Sequence, residues 1–464
     1  MLKAASIRRR ERGTTRKEPP SRIGGWSLTG MGIGGIIGAG YFLGSGIAIR
    51  QAGPSVVLTY ILGALIMAQV MGGLASMALA HPHVTAYRDY IAQYLGTYTG
   101  YMRGCAVLIS GIVGLGSEAV ATATYARYWV SWPLMPLAIG FALLALATNL
   151  LGTRWIGRME AGMSIIKVAV LLGFAGVGIL AVVGHADVHH AWGPQLLGSS
   201  AVFPHGIGGM LAATLIVVFS YSGITTVAMA TGRARHPALD IPRAAVATVV
   251  GVSGLYVAGM IILLMLIPWN AASVSQSPFS QALQALSMGW TAPLFNATIL
   301  VASVSVMAGS FFATVWMLVS LAVAQEAPRL FRGAAGEATW LTFAAVGLAV
   351  ILSITAAFAL PRNAYTGLTA AGSYFSFLNW FLILASFLRW ASWPSRPSPP
   401  ILRLAFGYPY GAAAAALLIV ALAVDSATVP AFQLGLAVFF ATLAFASFGY
   451  AVMRIRRRKA ERPE

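Results

Sequence analysis

Apolar stretches of about twenty residues recur along the whole chain, separated by short polar or proline-bearing turns, and each is long enough to cross roughly 30 Å of hydrocarbon as a helix. The pattern predicts helices over residues 25–50, 54–80, 97–128, 133–152, 157–183, 206–232, 242–268, 291–324, 338–360, 365–389, 403–424 and 430–453. An all-α membrane protein with twelve transmembrane helices is expected. The even count puts both termini on one side.

Composition agrees with this reading. Of 464 residues, 58% are hydrophobic and 9% charged, far less charge than a soluble domain needs to cover its surface. The 50 glycines and 22 prolines raise no objection, because both are commoner in membrane helices than in soluble ones. No cleavable signal peptide is expected, since the first apolar stretch is too long for an h-region. Cys105 is the single cysteine, which rules out an intramolecular disulfide and a Cys-rich metal site. His185, His189 and His190 cluster in one loop without further ligands, so no metal and no cofactor are assigned.

The net charge of +18 does not call for nucleic acid, because it is concentrated in tails and short loops. Lys3, Arg8, Arg9, Arg10, Arg12, Arg16, Lys17 and Arg22 precede the first span, and Arg454, Arg456, Arg457, Arg458, Lys459 and Arg462 follow the last. Arg88, Arg103, Arg154, Arg158, Arg233, Arg235, Arg243, Arg329, Arg332, Arg389, Arg396 and Arg403 fall in or beside loops on the same side. The opposite loops hold only Arg50, Arg127 and Arg362. Excess positive charge marks the cytoplasm, so both termini are expected there, in the cytoplasmic (inner) membrane. Residues 1–22 and 455–464 read as disordered basic tails that meet anionic lipid.

Two spans carry interruptions. The first holds eight glycines between Gly30 and Gly46, where each glycine costs about 1 kcal/mol against alanine in exposed helix. Close helix packing alone does not require adjacent glycines at 34 and 35 together with 38 and 40. A break around Gly34–Gly40 would free backbone N–H groups that suit a carboxylate. The sixth span reads Phe219-Ser220-Tyr221-Ser222-Gly223, then Ile224-Thr225-Thr226, and free carbonyls there would suit an ammonium. Interrupted helices at corresponding places in two halves mark an inverted-repeat transporter. Spans 1 and 6 are five apart, which predicts a five-plus-five repeat with two helices appended. The core is placed at 23–390, with repeats of about 23–184 and 205–390. The appended helices lie at 400–454.

These residues, taken in order, resemble bacterial amino acid permeases of the amino acid–polyamine–organocation superfamily. The glycine-rich segment Met31–Pro54 resembles that family's first helix, and Leu74–Ala78 to Pro82 with Tyr87 and Tyr90 its motif before span 3. Ile165-Ile166-Lys167-Val168 resembles its fifth helix. Phe219–Gly223 with Arg235-His236-Pro237 and Ile241-Pro242-Arg243 resembles its sixth helix and following loop. Ile267–Asn270 with Ser277–Phe279, Ala327–Phe331 and Asn379-Trp380-Phe381 to Arg389 resemble later segments. The resemblance covers about residues 22–455. It implies a leucine-transporter-like fold with discontinuous helices 1 and 6, alternating access, and uptake of an α-amino acid. It also implies that Gly34, Gly35, Gly38, Ala39 and Gly40, with Phe219, Ser220, Tyr221, Ser222 and Gly223, hold the substrate's carboxylate and amine. Two positions depart from it: Ser76 and Arg233 stand where many relatives place a glutamate, which disfavours a cationic substrate.

Ionisable groups inside spans are functional candidates. Lys167 lies about ten residues inside span 5. In some relatives a lysine there takes the place of a sodium ion, so proton coupling is expected over sodium coupling. A permanently charged structural link is the alternative. Glu118, mid-span in helix 3, must pair, protonate or face water; it is read as a counter-charge to Lys167, a substrate contact or a second proton carrier. The reading is a proton-coupled amino acid importer and not an enzyme, with substrate, protons and lipid as partners and no obligate protein partner. An exchanger of the same fold is the first alternative, and a non-transporting amino acid sensor is the second.

Overall fold

The computed structural model describes residues 24–81, 88–150, 153–184, 202–224, 234–273, 276–333, 337–359, 364–392 and 401–460, with residues 88, 89, 153–161 and 456–460 described by backbone alone. Thr225, Thr226, Arg233, the loop histidines at 185, 189 and 190 and the tail 1–22 lie outside the described residues.

The elements of the described chain are all helices. The first span is three pieces: α1 (Gly25–Ile36), α2 (Ala39–Phe42) and α3 (Gly44–Ala52). Next come α4 (Val56–Ala80), a short α5 (Arg88–Leu95), α6 (Thr97–Ala126), α7 (Leu134–Leu150) and α8 (Thr153–Val183). The order then repeats in kind. The interrupted helix is α9 (Gly206–Tyr221), which passes into a 3-10 turn at Ser222–Ile224. It is followed by α10 (Pro237–Leu266), a short α11 (Pro278–Ala285), α12 (Ala292–Val323), α13 (Trp340–Ala359) and α14 (Ala364–Ala391). Finally α15 (Tyr410–Ser426) and α16 (Gln433–Ala460) close the chain. Nine helical stretches among the described residues are long and apolar enough to cross a membrane, and α7 and α15 are shorter apolar helices.

Helix α14 is the most enclosed, with 78% of its most apolar stretch buried, against 6% for α16 at the rim. Helix α6 packs along both α12 and α14, while α1 lies against α8 and α10. The interrupted α1–α3 and α9 therefore sit in the middle, with long helices around them. Helix α16 stays helical through Arg454 to Ala460, into the segment expected as a tail; basic side chains suit the negative end of a helix. Arg103 also differs from its expected place beside a loop. It lies two turns inside α6 and is fully buried, its Nε donating to Asn379 Oδ1 at 2.9 Å, so it is a core polar group and not a loop charge.

The departure at Ser76 has a structural consequence. Its hydroxyl donates to Gly72 O at 2.6 Å and accepts the Leu402 N–H at 3.0 Å. Gln69 Nε2 reaches Phe406 O at 2.9 Å, and a Cβ on Gly72 would overlap the Ala405 backbone. One face of α4 thus receives the segment that leads into α15.

Candidate functional site

Helix α1 stops because Ile37 and Gly38 are extended (φ −75°, ψ 100° and φ −143°, ψ −165°). Buried backbone groups released by such a break need partners, and side chains from five other helices supply them. Lys167 Nζ on α8 donates to Gly34 O at 2.7 Å, and Tyr256 on α10 donates to Ile36 O at 3.1 Å. Tyr365 on α14 reaches Ala39 O at 3.2 Å, and Ser220 on α9 reaches Gly40 O at 2.7 Å. On the other side of the break, the Ala39 N–H donates to Glu118 Oε2 on α6 at 3.1 Å. The Gly40 N–H also reaches that carboxylate. Gly38 is glycine for a steric reason, since a Cβ there would lie 2.8 Å from Glu118 Oε1. Lys167 and Glu118 are both buried and act on one another electrostatically across the broken segment.

The N–H groups expected to face a substrate carboxylate are thus held by the protein's own carboxylate. Gly34, Gly38 and Ala39 belong to this bracing. Gly35 and Gly40, by contrast, line a cavity of about 140 Å³ together with Phe219, Ser220, Ser222 and Gly223. An apolar cavity of about 150 Å³ accommodates a benzene-sized molecule, so a small amino acid is within its capacity. Glu118 lies on the same wall. Tyr221 points the other way: its hydroxyl donates to Tyr60 O at 3.3 Å, and its ring packs on Tyr256 with centroids 5.2 Å apart. Helical rotation of about 100° per residue explains why the neighbours of Tyr221 face the cavity and it does not.

Two close approaches shape the cavity. A Cβ on Gly223 would overlap Gly35 O and lie 2.5 Å from Gly35 C, so the backbones of the two interrupted spans touch here. The Phe219 ring lies among three glycines: Cβ atoms on Gly40, Gly372 and Gly114 would come within 3.0, 3.1 and 3.9 Å of it. The rest of the wall was not singled out as substrate-binding from sequence. Helix α6 contributes Ser110, Gly111 and Gly114, α12 contributes Ser310 and Thr314, and α14 contributes Ser376 and Asn379. One signal for the α6 group was available: Ser110/Gly111, Gly114 and Glu118 recur at helical spacing of three or four within an apolar run. Among the described residues no group of three or more His, Cys, Asp or Glu is placed to hold a metal ion.

A sequence profile described as amino acid permease matches residues 28–460. The chain is 32% identical over 304 residues to an uncharacterized amino acid permease, YvbW, of Bacillus subtilis, covering 65% of this chain and 68% of that one. It is 31% identical over 306 residues to the gamma-aminobutyric acid permease of the same organism, spanning 66% of this chain and 65% of that relative, just under two thirds of its length. It is 32% identical over 310 residues to the aromatic amino acid transport protein AroP of Corynebacterium glutamicum, covering 66% and 67% of the two chains. Among solved structures it resembles Mhp1, a nucleobase-cation-symport-1 family transporter in a closed conformation, with a TM-score of 0.53 and 17% identity over 94% of this chain and 95% of that one. That likeness establishes a shared fold.

Proposed function

From the premise that the chain belongs to the amino acid permease family, a multi-pass membrane transporter and not an enzyme, we infer that it imports an α-amino acid by alternating access, as a proton symporter. The observation that carries this reading is the braced break in the first span, with a cavity beside it and two buried ionisable groups holding its ends. The substrate sits between the interrupted spans, against Gly35, Gly40, Phe219, Ser220, Ser222 and Gly223. Gly34, Gly38, Ala39 and Tyr221 support that site from behind. Glu118 and Lys167 are the proton-sensitive pair: each bonds the broken backbone, so a change of charge on either alters the hold on it.

The finer architecture belongs to the same reading. Twelve spans form a core over 23–390 with two helices appended at 400–454. The order of elements supports a five-plus-five repeat, since each half runs interrupted helix, long helix, eight-residue helix, then three further helices. Sidedness has support too. Thr97 and Tyr98 at the head of α6 bond Tyr450 and Ser447 near the end of α16. Alternating spans put the head of α6 on the side where α1 begins. Both termini then share one face, which the positive-inside rule makes cytoplasmic.

Uptake of a panel of radiolabelled amino acids into proteoliposomes tests the reading, with an inward proton gradient imposed and with sodium present or absent. Gradient-driven accumulation without sodium is the expected result. Counterflow without accumulation would replace symport by exchange. Binding without flux would replace transport by sensing.

A further inference from the structure

The cavity has a second polar end, away from Glu118. Asn379 lies on its wall and is itself 93% buried. The orientation of its amide is fixed chemically. The Arg103 Nε–H can only donate, so the asparagine atom it meets at 2.9 Å must be the oxygen. The amide nitrogen, with two N–H donors, is then turned from Arg103, and it has no hydrogen-bond partner among the described residues. Neighbouring hydroxyls have the opposite character. Thr314 donates to Ser310 O at 2.7 Å and Ser376 donates to Gly372 O at 3.0 Å. A hydroxyl has one hydrogen, so these two leave only lone pairs for a ligand. Arg103 behind the amide reinforces its donor character, because a fixed cation in a low-dielectric interior polarises the groups bonded to it.

We propose that Asn379, positioned by Arg103, is a specificity-determining residue that donates to an oxygen acceptor at the end of the substrate's side chain. The favoured class is an α-amino acid ending in an amide, hydroxyl or carboxylate; aliphatic and cationic side chains are disfavoured. The proposal rests on the amino acid transport reading above and deepens it. The dimensions fit. Gly372, beside the Phe219 ring, and Asn379 are seven residues apart on α14, a rise of about 10 Å. A glutamine-length molecule that packs on the Phe219 ring and makes one hydrogen bond of about 3 Å to the Asn379 amide covers about that rise.

The test is the ratio of glutamine to norleucine uptake in proteoliposomes, for the wild type, Asn379→Asp and Arg103→Met. Aspartate keeps the acceptor for Arg103 and nearly the same shape but loses both donors. The ratio should exceed one in the wild type and fall by about tenfold or more in Asn379→Asp, glutamine uptake losing far more than norleucine uptake. It should also fall in Arg103→Met, where the amide is free to turn. Equal changes in both substrates would overturn the proposal, since a merely structural role lowers both alike. Should either variant fail to fold, the wild-type profile decides: serine no better than 2-aminobutyrate, and glutamine no better than norleucine, overturns it. A wild type that moves no amino acid defeats the transport reading and this proposal together. One that moves only acceptor-free amino acids defeats this proposal alone.

Discussion

Replacing Gly223 by alanine tests the contact between the two interrupted spans. The added Cβ would lie 2.5 Å from Gly35 C and 2.9 Å from Ile36 Cα, and would overlap Gly35 O. All three are backbone atoms, so no side chain can swing aside. Carbon atoms rest at about 3.5 Å, so the spans must part by about 1 Å or remain compressed. Compression in a packed interior costs about 1–3 kcal/mol. Parting instead moves Gly34 with Gly35 and stretches the Lys167–Gly34 O bond from 2.7 Å past hydrogen-bonding range, a loss of about 1.5–3 kcal/mol for a charged donor. Between them the routes predict about 1–3 kcal/mol, or roughly 5- to 150-fold in the folding equilibrium. The assay is a denaturant titration of purified protein in mixed micelles read by circular dichroism, alongside uptake. Gly173→Ala is the control, because nothing lies within 4 Å of a Cβ there; it should be neutral or slightly stabilising. A Gly223→Ala protein that unfolds with the wild type and transports at its rate would refute the reasoning.

Other expectations can be checked in the same preparations. Lys167→Met removes the donor to Gly34 O and the proposed proton-sensitive charge, and should abolish proton-driven accumulation; normal accumulation would remove Lys167 from the coupling. Glu118→Gln keeps an acceptor for the Ala39 N–H but cannot ionise, so substrate counterflow should persist while dependence of uptake on the proton gradient is lost; an intact gradient response would count against the role. Ser76→Ala orphans the buried Leu402 N–H and should destabilise the protein by about 1–2 kcal/mol, measured by the same titration, with substrate preference unchanged.

Much of this was legible in the chain for identifiable reasons. Glycine density marked the break, which falls at Ile37–Gly38, because glycine leaves a helix at little cost and permits close contact. Lys167 and Glu118 stood out because charge is rare within apolar runs, and both meet the broken segment. Which side of each helix faces inward was much harder to read. In a soluble protein the polar face of a helix points to water. Here lipid-facing and core-facing sides are both apolar, so Tyr221 could not be separated from Ser220, nor Gly34 from Gly35. Arg103 fitted a loop charge by position, and only its partner Asn379, 276 residues away, reveals it as a core group. The seat that Ser76, Gly72 and Gln69 form for the segment before α15 likewise joins stretches far apart in sequence, and no local pattern announces it.

The distribution of contacts around the broken span supports a particular way of moving. Four buried tyrosines, Tyr41 of α2, Tyr60 of α4, Tyr221 of α9 and Tyr256 of α10, pack on one another, with Tyr41 and Tyr256 stacked 3.8 Å apart. Tyr41 also donates to Tyr256 O at 2.9 Å. These neutral contacts join spans 1, 2, 6 and 7, and no change of protonation near neutral pH disturbs them. Toward the surrounding spans ionisable links join in, the carboxylate of Glu118 and the ammonium of Lys167, beside neutral ones such as Ser164 to Gly30 O, Tyr365 to Ala39 O and the Phe42–Phe295 ring contact. A body held together by aromatic packing and joined to its surroundings in part through ionisable groups can shift as a unit when those groups change charge. Interior packing favours discrete rearrangements over continuous deformation. In the proposed site, a substrate between Gly35 and Phe219 would touch the same segment that the two charges hold. On that proposal a proton and an amino acid would act on one mechanical joint, which is the condition for coupling one flux to the other.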